Sequence, residues 1–422
     1  MTKTFIVSIG DELVKGEILN TNAQYIANSL VNMGFNISAI LNLPDDYKQL
    51  VFNLRSLLSQ KGVFIITGGL GGTRDDITRK ALGEVFKKDL VLDKFADREL
   101  ENWYRSKGRE YTDSDRMQAR VPEGGILLKN RVGLAYGIYI EINESHIFCL
   151  PGVPHEMKSM FDNDVVPMLR QKNLHDERYK CEILYFGDIA EYVLDKKING
   201  IVSRYNGISY GTRASNGIIR VRFESFNGNL ESCVNEVKEK LSENYLYSGF
   251  RDISEVVGEI LTGEKFTLST AESCTAGYLA KRITDIPGSS NYFVGGVVAY
   301  SNIIKEQILG VSAETLKRYG AVSEQTAWEM ASGALNIFDS TFSIAVTGIA
   351  GPAGGSKEKP VGTVYIGIGK NQRDGILDIE VRGFRFNGTR EGIRERTVNV
   401  SLVMLLKKLK NMVMKSDPGL VK

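Results

Sequence analysis

Short apolar runs alternate with longer amphipathic segments from the start of the chain, and this alternation limits the fold more than any other feature. The runs "TFIVSIG" and "VFIIT" are typical of buried strands, and apolar residues recur at helical spacing over residues 22–33 and 45–58. Strands that alternate with helices form parallel βαβ units. The sequence therefore predicts an α/β sheet in the amino-terminal part of the chain.

The rest of the chain divides where this pattern changes. A polar, charged stretch near residues 171–175 indicates the first boundary, and the residues beyond it combine strands of alternating character with two amphipathic helices. From about residue 251 a second strand-and-helix alternation begins. We therefore predict two α/β domains with mainly parallel or mixed sheets, over residues 1–172 and 251–422, joined by a small α+β (KH-like) domain over residues 173–250.

Composition argues against several classes of partner. The formal net charge is +2, and residues 173–250 contain neither a GxxG loop nor a basic cluster, so we expect no nucleic-acid binding. No stretch approaches the roughly 20 apolar residues that span a bilayer. The four cysteines are scattered and form no CxxC pair, so neither a disulfide framework nor a zinc site is expected. We expect a cytoplasmic protein with no membrane partner.

The positions of the histidines limit the chemistry of the carboxy-terminal domain. The chain has three histidines, and none follows His175. Hydrolysis in the last part of the chain must therefore use a base other than a local histidine.

One candidate nucleophile, Ser273, lies where a strand pattern gives way to a helix pattern. The strand pattern ends at Ala271, and the helical pattern begins at about Thr275. A turn of this kind exposes a hydroxyl beside backbone N–H groups that can stabilise an oxyanion. The alternative is that Ser273 or Thr275 only caps the helix. Cys274 is a rival nucleophile, although a small residue beside such a turn is typically packed.

A candidate base and a candidate anion-binding loop follow two later strands. Tyr300 ends the run "GGVVAY", and Lys305 falls near the start of the next helix, where a cation is unfavourable unless a desolvated site uses it. A lysine with a lowered pKa is the base of Ser-Lys hydrolases, and a solvated surface lysine is the alternative. The Gly-rich loop 348–355 can bring N–H groups to a phosphate or a carbonyl, although many such loops are only turns.

Together, the motifs "AESCTAG", "PGSSNYFVGGVVAYSNIIK", "TGIAGPAGG" and "KPVGTVYIG" resemble those of the CinA carboxy-terminal domain, the nicotinamide-nucleotide amidohydrolase family, over residues 253–412. The resemblance implies Ser273 as nucleophile, with Lys305 and Tyr300 assisting, and no cofactor. The family pattern has glycine where this chain has Ala276, a change of one methyl group that we expect to be tolerated. The predicted substrate-binding residues are Glu272, Thr275, Gly277, Thr347, Gly348, Ala350, Gly351, Arg390 and Arg394.

The implied reaction is deamidation of nicotinamide mononucleotide to nicotinate mononucleotide and ammonia. Ser273 attacks the carboxamide carbon after giving its proton to neutral Lys305, directly or through the neighbouring tyrosine, and N–H groups near Ser273 and Thr275 hold the oxyanion. We expect the substrate phosphate to meet Arg390 or Arg394. The alternative is that both arginines lie on a solvated helix face.

Three loops of the amino-terminal domain combine glycines with carboxylates after predicted strands. In a parallel sheet these loops meet at the carboxyl edge, where ligands bind. Glycine N–H groups suit phosphates, and carboxylates suit a hydrated divalent cation. The alternative is that the acids cap helices and the glycines make turns. The predicted ligand-binding residues are Gly10, Asp11, Asn20, Asn22, Gly68, Gly69, Gly71, Thr73, Asp76, Pro151 and Gly152, and the predicted metal ligands are Glu12, Asp75 and Glu156.

These loops resemble the MoaB/MogA-like molybdopterin-binding domain as it occurs at the amino terminus of CinA proteins, over residues 3–170. The resemblance implies a metal-dependent ADP-ribose pyrophosphatase with a divalent metal ion as cofactor. The family's "GGLGPT" is "GGLGGT" here, with Gly72 in place of proline, and its "GTAPG" is "GLAYG", with Leu134 and Tyr136. A domain that binds a nucleotide without cleaving it is the alternative.

Two functions from different classes follow. The first is a bifunctional enzyme of pyridine-nucleotide recycling that acts on nicotinamide mononucleotide and ADP-ribose. The second is a molybdopterin- or nucleotide-binding adaptor of the competence/damage-inducible type, without catalysis at the amino-terminal site. The presence of Ser273, Tyr300 and Lys305 favours the enzyme. From the resemblance to the family we also expect a homodimer.

Overall fold

Strands and helices alternate along most of the chain, as the apolar pattern predicts. The computed structural model describes residues 3–73, 75–176, 178–371 and 376–416. The chain divides into two units, Met1–Lys180 (unit 1) and Cys181–Lys422 (unit 2), each with hydrophobic cores of its own. The predicted α/β fold class is confirmed. This division does not test the boundaries predicted at residues 172 and 250, which stay predictions.

Unit 1 is built on a six-stranded mixed sheet. Its described strands are β1 (Lys3–Ile9), β2 (Asn36–Leu43), β3 (Val63–Thr67), β4 (Leu90–Leu92), β5 (Arg120–Pro122), β6 (Ile126–Leu128), β7 (Gly137–Ile142) and β8 (Ser145–Leu150). The order in the sheet is β2-β1-β3-β8-β7-β6, and β4 pairs with β5 separately. Strands β2, β1, β3 and β8 run parallel to one another, whereas β7 is antiparallel to both of its neighbours, β8 and β6.

Helices cover both faces of this sheet. The described helices of unit 1 are α1 (Asp11–Val14), α2 (Thr21–Asn32), α3 (Tyr47–Leu58), α4 (Thr78–Phe86), α5 (Lys94–Ser106), α6 (Asp113–Arg116), α7 (Pro154–Met160) and α8 (Val166–Gln171). Phe5 of β1 shares a core with residues of α3 and α4, whereas its neighbour Ile6 packs with α2 and α7 on the other face. Helix α3 begins at Tyr47, two residues later than the pattern predicts, because Asp46 caps it by accepting from the Gln49 N–H.

The first part of unit 2 is a small four-stranded sheet with two helices. Its strands are β9 (Lys180–Phe186), β10 (Ile208–Ser215), β11 (Ile218–Ser225) and β12 (Tyr245–Ser248), in the order β10-β11-β9-β12. The helices are α9 (Glu191–Val202) and α10 (Leu230–Lys240), and they bury their apolar faces against Val221 and Phe223 of β11. These elements follow the α+β pattern predicted for this stretch.

The second part of unit 2 is a five-stranded sheet. Its strands are β13 (Leu268–Glu272), β14 (Phe293–Val298), β15 (Phe342–Gly348), β16 (Thr363–Asn371) and β17 (Leu377–Arg385), in the order β14-β13-β15-β16-β17. The helices are α11 (Ile253–Gly263), α12 (Tyr278–Thr284), α13 (Asn302–Gln307), α14 (Ala313–Tyr319), α15 (Glu324–Phe338) and α16 (Arg390–Ser416).

The three parallel strands of this sheet, β14, β13 and β15, determine where its functional residues meet. Their carboxyl ends lie at one edge, so the segments after Glu272, Val298 and Gly348 are neighbours. These are the segments that carry the predicted nucleophile, base and Gly-rich loop. Over the described residues, the helices are all too short or too polar to cross a membrane.

Candidate functional site

Ser273 follows β13 directly and forms the first residue of a tight turn. Its backbone N–H donates to the Val346 carbonyl (2.9 Å), and the Ala276 N–H donates back to the Ser273 carbonyl (3.2 Å). The helix beyond the turn begins at Tyr278, three residues later than predicted, and Gly277 occupies its N-cap position. Neither Ser273 nor Thr275 therefore caps the helix, and the Ser273 hydroxyl stays available for other partners.

The turn requires backbone conformations that glycine adopts most easily. Ala276 has φ of 50° and Gly277 has φ of 87°, both in the left-handed region. The methyl group at residue 276, which we expect to be tolerated, therefore has an energetic cost, since a non-glycine residue in this region costs about 1–2 kcal/mol. The turn nevertheless forms with alanine at this position.

Glu272 caps the following helix, whereas the sequence predicts that it binds substrate. One carboxylate oxygen accepts from the N–H groups of Gly277 and Leu279 (both 3.0 Å), and the other accepts from Ala280 (2.8 Å). The side chain is 1% exposed. Because both oxygens are already bonded to the helix start, Glu272 positions the turn from beneath and does not face a substrate.

Replacing Glu272 with glutamine is expected to destabilise unit 2 without removing the nucleophile. The amide keeps one acceptor and turns an NH₂ group toward backbone N–H groups, so we expect a loss of about 1–3 kcal/mol in the free energy of unfolding. Urea unfolding of the full chain measures this, with Glu314→Gln as the control, because Glu314 is an exposed acid in the first turn of α14. Equal stability of the two variants would contradict the capping role.

Lys305 reaches the nucleophile from α13. Its Nζ lies 3.2 Å from Ser273 Oγ, 2.7 Å from the Ala299 carbonyl and 3.4 Å from the Tyr300 carbonyl. The side chain is 1% exposed, which excludes the alternative of a solvated surface lysine. Burial lowers the pKa of Lys305 below its ordinary value of 10.5, an effect that the nearby Cys274 thiol opposes in part.

The side chain of Tyr300 does not join this pair. It is 62% exposed, and its hydroxyl accepts from Arg390 Nη2 at 3.4 Å. Its contact with Lys305 is through the main-chain carbonyl. The predicted proton path through the Tyr300 hydroxyl therefore has no support in the geometry, whereas the direct path from Ser273 to Lys305 does.

The predicted oxyanion donors are N–H groups near Ser273 and Thr275, and two groups of the turn, those of Cys274 and Thr275, are the candidates, although these residues are only 6% and 0% exposed. The Ser273 N–H is not a candidate, because it donates to the Val346 carbonyl across the sheet. The N–H groups of Cys274 and Thr275 make no hydrogen bond to another residue within the described part of unit 2. The residue that follows a nucleophile on a strand-to-helix turn commonly supplies an oxyanion donor.

Cys274, the rival nucleophile, is a packed residue. It is 6% exposed, and its sulfur lies against Gly348, where an added Cβ would come within 3.1 Å of it. Burial raises the pKa of the thiol to about 12. Because the thiolate is the reactive form of cysteine, Cys274 is a poor nucleophile in this setting.

A cavity of about 620 Å³ lies beside the turn and carries positive charge. Lys281, Arg390 and Arg394 line it, with a single carboxylate, Glu391. Arg394 is partly buried against Tyr278, so the alternative of a fully solvated helix face does not hold for it. The remaining lining residues are Ala276, Gly277 and Tyr278.

The arginines also hold the site together. Arg394 donates to the Thr275 carbonyl (2.6 Å), and Arg390 donates to the Gly351 carbonyl (2.6 Å). Helix α16 is thereby joined to the nucleophile turn and to the Gly-rich loop. Lys281 was not predicted, although it lies four residues after Gly277 and shares its helix face, a signal that helical spacing offers.

The Gly-rich loop after β15 is partly structural. Thr347 is fully buried, and its hydroxyl donates to the Ala321 carbonyl (2.6 Å). Gly348 packs against Cys274, and Ala350 is 4% exposed. The loop therefore backs the nucleophile turn, and the role of Thr347, Gly348 and Ala350 in substrate binding stays a prediction.

Most of the amino-terminal predictions converge on one cleft of about 710 Å³ in unit 1. Ten predicted residues line it: Gly10, Glu12, Gly68, Gly69, Gly71, Asp75, Asp76, Pro151, Gly152 and Glu156. Asp45 and Gln118 line it as well and were not predicted. Asp45 follows β2, which is parallel to β1, so its place at the carboxyl edge was open to prediction. Its pKa is raised, mainly by burial and also by neighbouring carboxylates.

Four predicted ligand-binding residues have other partners instead. Asp11 pairs with Lys15 and accepts from the Asp45 N–H, and Asn20 caps α2. Thr73 donates twice to the Asp76 carboxylate. Asn22 donates to the Gly152 carbonyl (2.7 Å), so it supports the cleft wall without lining it.

The predicted metal ligands share the cleft but do not form a preassembled metal site. Among the described residues, no group of three or more His, Cys, Asp or Glu side chains is placed to hold a metal ion. The Glu156 carboxylate accepts from Asn130 Nδ2 (2.7 Å). Oxygen donors suit a hard divalent cation, and a metal site at Glu12, Asp75 and Glu156 stays a prediction.

The departures from the family pattern have distinct environments. The Ser114 hydroxyl donates to the Gly72 carbonyl. A Cβ added at residue 72 would come within 2.9 Å of Gln118 Nε2. Leu134 lines the cleft. Tyr136 is 7% exposed, and its hydroxyl donates to Glu99 (2.5 Å), so it is part of the core and not of the cleft surface.

Comparison with known proteins covers nearly the whole chain. Residues 250–409 match the family described as "CinA C-terminal domain", and residues 5–171 match the one described as "Probable molybdopterin binding domain". A CinA-like protein from Thermosipho melanesiensis is 37% identical over 398 residues, 94% of this chain and 97% of that protein. A CinA-like protein from Leptospira borgpetersenii is 36% identical over 422 residues, 97% of this chain and 98% of that protein.

A solved structure matches part of the chain. The competence/damage inducible protein CihA from Agrobacterium tumefaciens is 41% identical, and the match covers 39% of this chain and 99% of that one, with a TM-score of 0.35.

Proposed function

The chain belongs to the CinA family, and we propose that unit 2 is a nicotinamide mononucleotide deamidase. The observation that carries the proposal is the 3.2 Å approach of the buried Lys305 amine to the Ser273 hydroxyl at a strand-to-helix turn. A buried lysine of lowered pKa beside a serine is the arrangement of a Ser-Lys hydrolase.

Three oxygens surround the Lys305 amine: Nζ lies within hydrogen-bond distance of the Ala299 and Tyr300 carbonyls and of Ser273 Oγ. The ammonium donates to all three. After loss of one proton, the two remaining N–H groups can stay on the carbonyls, and the lone pair faces the Ser273 hydroxyl proton. Burial favours this neutral form, because it lowers the pKa of the amine.

In the acylation step, Ser273 Oγ bonds to the carboxamide carbon while its proton moves to Lys305 Nζ. The carbonyl oxygen becomes an oxyanion that the N–H groups of Cys274 and Thr275 stabilise. Lys305 then gives its proton to the carboxamide nitrogen, the C–N bond breaks, and ammonia leaves. The serine now carries a nicotinoyl ester.

In the deacylation step, Lys305 takes a proton from water, and the oxygen attacks the ester carbon. The ester bond breaks, and the proton returns to Ser273 Oγ. The net reaction is nicotinamide mononucleotide plus water to nicotinate mononucleotide plus ammonia. The 620 Å³ cavity, with Lys281, Arg390 and Arg394, suits the phosphate of this substrate.

Ammonia release from nicotinamide mononucleotide tests the proposal. We expect the purified chain to release ammonia and nicotinate mononucleotide in equal amounts, at a rate that a metal chelator leaves unchanged. Activity that the chelator abolishes would sink the serine mechanism, and the absence of any release would sink the deamidase.

A second candidate function concerns unit 1. We propose that its cleft binds ADP-ribose or a related nucleotide and cleaves the pyrophosphate when a divalent metal is supplied. The cleft supports this by its size, about 710 Å³, and by joining the Gly-rich loop to five carboxylates, Glu12, Asp45, Asp75, Asp76 and Glu156. Because no preassembled metal site is described, we derive no catalytic step for it.

Incubation with ADP-ribose separates cleavage from binding at this cleft. We expect AMP to form when Mg²⁺ or Mn²⁺ is present and not when a chelator is added. Binding without AMP would favour the alternative, an adaptor that holds a nucleotide or molybdopterin. Asp75→Asn is the matched variant, and we expect it to lower the rate of AMP formation at least about 10²-fold if the carboxylate takes part in the chemistry.

A further inference from the structure

A buried arginine lies behind the Gly-rich loop of the unit 1 cleft. Arg79, in the first turn of α4, is 2% exposed. Its Nη1 donates to the Arg120 carbonyl (3.0 Å), and its Nη2 donates to the carbonyls of Tyr136 (2.5 Å) and Leu70 (3.4 Å). Its Nε has no hydrogen-bond partner among the described residues.

The three carbonyls belong to three separate segments. Leu70 is in the Gly-rich loop 68–72, Tyr136 ends the segment 133–136, and Arg120 begins β5. Leu70 lines the cleft itself, and so does the segment 133–135. A single side chain therefore joins two walls of the cleft from behind.

Arg79 has no hydrogen-bonded counterion. In the described parts of unit 1, its hydrogen bonds go to neutral carbonyls and to no carboxylate. Burial lowers the pKa of Arg79 to about 10, and the nearby Asp76 carboxylate opposes that shift, so the guanidinium stays charged at neutral pH. A buried charge is costly, and the three carbonyls and the Asp76 carboxylate offset part of that cost.

The cleft in front of Arg79 has the opposite character. Among the described residues that line it there are five carboxylates and no lysine or arginine. An anionic phosphate entering this cleft meets repulsion from its walls. The Gly68 N–H already donates to the Leu150 carbonyl. The N–H groups of residues 69–71 and the positive charge behind them are the favourable contributions that the described cleft offers.

We propose that Arg79 is a positioning residue that holds the Gly-rich loop against the segment 133–136 and supplies the positive charge that lets a phosphate or pyrophosphate group bind on that loop. The inference rests on the proposal that the cleft binds a phosphorylated nucleotide. It adds the place of the phosphate group and the residue that makes that place favourable.

Binding of inorganic pyrophosphate to the full chain tests this inference. Calorimetry on Arg79→Met should show an affinity at least about 30-fold weaker than the wild type, because the buried charge is lost. Arg79→Lys keeps the charge and should stay within about 5-fold. Arg98→Met is the control, since Arg98 is an exposed arginine of α5, and its affinity should equal that of the wild type.

Amide hydrogen exchange of the ligand-free proteins tests whether Arg79 holds the Gly-rich loop against the segment 133–136. Exchange in the segments 68–72 and 133–136 should become about 10-fold faster in both Arg79 variants and stay unchanged in Arg98→Met. If the methionine variant does not fold, Arg79→Lys carries the test by itself. It should then show faster exchange in the two segments and an affinity for pyrophosphate within about 5-fold of the wild type. Unchanged exchange, or loss of pyrophosphate binding in the lysine variant, overturns the inference.

The outcomes separate this inference from the function on which it rests. Wild-type binding of pyrophosphate that Arg79→Met weakens, with no AMP from ADP-ribose, upholds the role of Arg79 and refutes the pyrophosphatase. AMP formation with equal pyrophosphate affinity in the wild type and Arg79→Met upholds the enzyme and overturns the role of Arg79.

Discussion

Replacing Lys305 with methionine is expected to lower kcat for deamidation of nicotinamide mononucleotide by about 10³–10⁴-fold, because the base that accepts the Ser273 proton is lost. Methionine fills a similar volume and removes a buried amine, so the folded state should persist. The measurement is the steady-state rate of ammonia release, with the thermal midpoint of unfolding as the check on folding.

Two further variants sharpen this result. Lys305→Arg retains a cation that does not deprotonate at accessible pH, and it should be as inactive as the methionine variant. Lys317→Met is the matched control, because Lys317 is an exposed lysine on α14, and it should keep the wild-type rate. Wild-type activity in Lys305→Arg would contradict the role of Lys305 as base.

The pH dependence follows from the same residue. The neutral amine is the active form, so kcat/KM should rise with pH and level off once Lys305 is deprotonated. Burial lowers the pKa of Lys305, which places the inflection below the ordinary value of 10.5. Any residual activity of Lys305→Met should lack this inflection. An inflection that persists in the variant would assign it to another group.

Replacing Ser273 with alanine is expected to have an effect at least as large, a loss of about 10³-fold or more in kcat. The oxygen that bonds to the carboxamide carbon is then absent, while Lys305 and the N–H groups of the turn remain. Because the side chain is small and makes no cap, the fold should be unaffected.

Cys274→Ala is the matched variant for this experiment. The thiol is packed against Gly348 and burial raises its pKa to about 12, so it does not serve as nucleophile. We expect Cys274→Ala to keep the rate within about 10-fold and to lose about 1 kcal/mol of stability from the smaller side chain. Deamidation that survives Ser273→Ala and disappears in Cys274→Ala would reverse the assignment.

The sequence was sufficient to bring Ser273 and Lys305 together. Both follow parallel strands, and the carboxyl ends of parallel strands meet at one edge whatever the details of packing. The lack of histidines after residue 175 excluded a local histidine base and favoured a lysine of lowered pKa. The convergence of ten predicted residues on the unit 1 cleft follows from the same rule.

Details that depend on where a helix begins were missed. The residues Thr275–Gly277 are compatible with a helix by composition, so the pattern placed its start there. The left-handed conformations of Ala276 and Gly277 delay the helix to Tyr278 and leave Glu272 to cap it. Nothing in the amino-acid composition indicates that an alanine will adopt a positive φ. The spacing of the residues likewise does not indicate that Glu272 caps the helix.

Details that depend on side-chain direction were missed as well. Tyr300 lies two residues after β14 and beside the site, yet its hydroxyl is bonded by Arg390 and its side chain is exposed. Glu12, Asp75 and Glu156 reach one cleft, yet among the described residues no group of three such side chains is already placed to hold a metal ion. Sharing a sheet edge determines where the backbone lies, but not the last few ångströms between carboxylates.

The acyl-enzyme itself gives the most direct test of the central claim, that Ser273 is the nucleophile of a deamidase. The wild-type chain is mixed with excess nicotinamide mononucleotide, quenched in acid during turnover, digested, and examined by mass spectrometry. We expect a nicotinoyl mononucleotide ester on Ser273, absent from Ser273→Ala. An adduct on Cys274, or an adduct that persists in Ser273→Ala, would contradict the role of Ser273 as nucleophile.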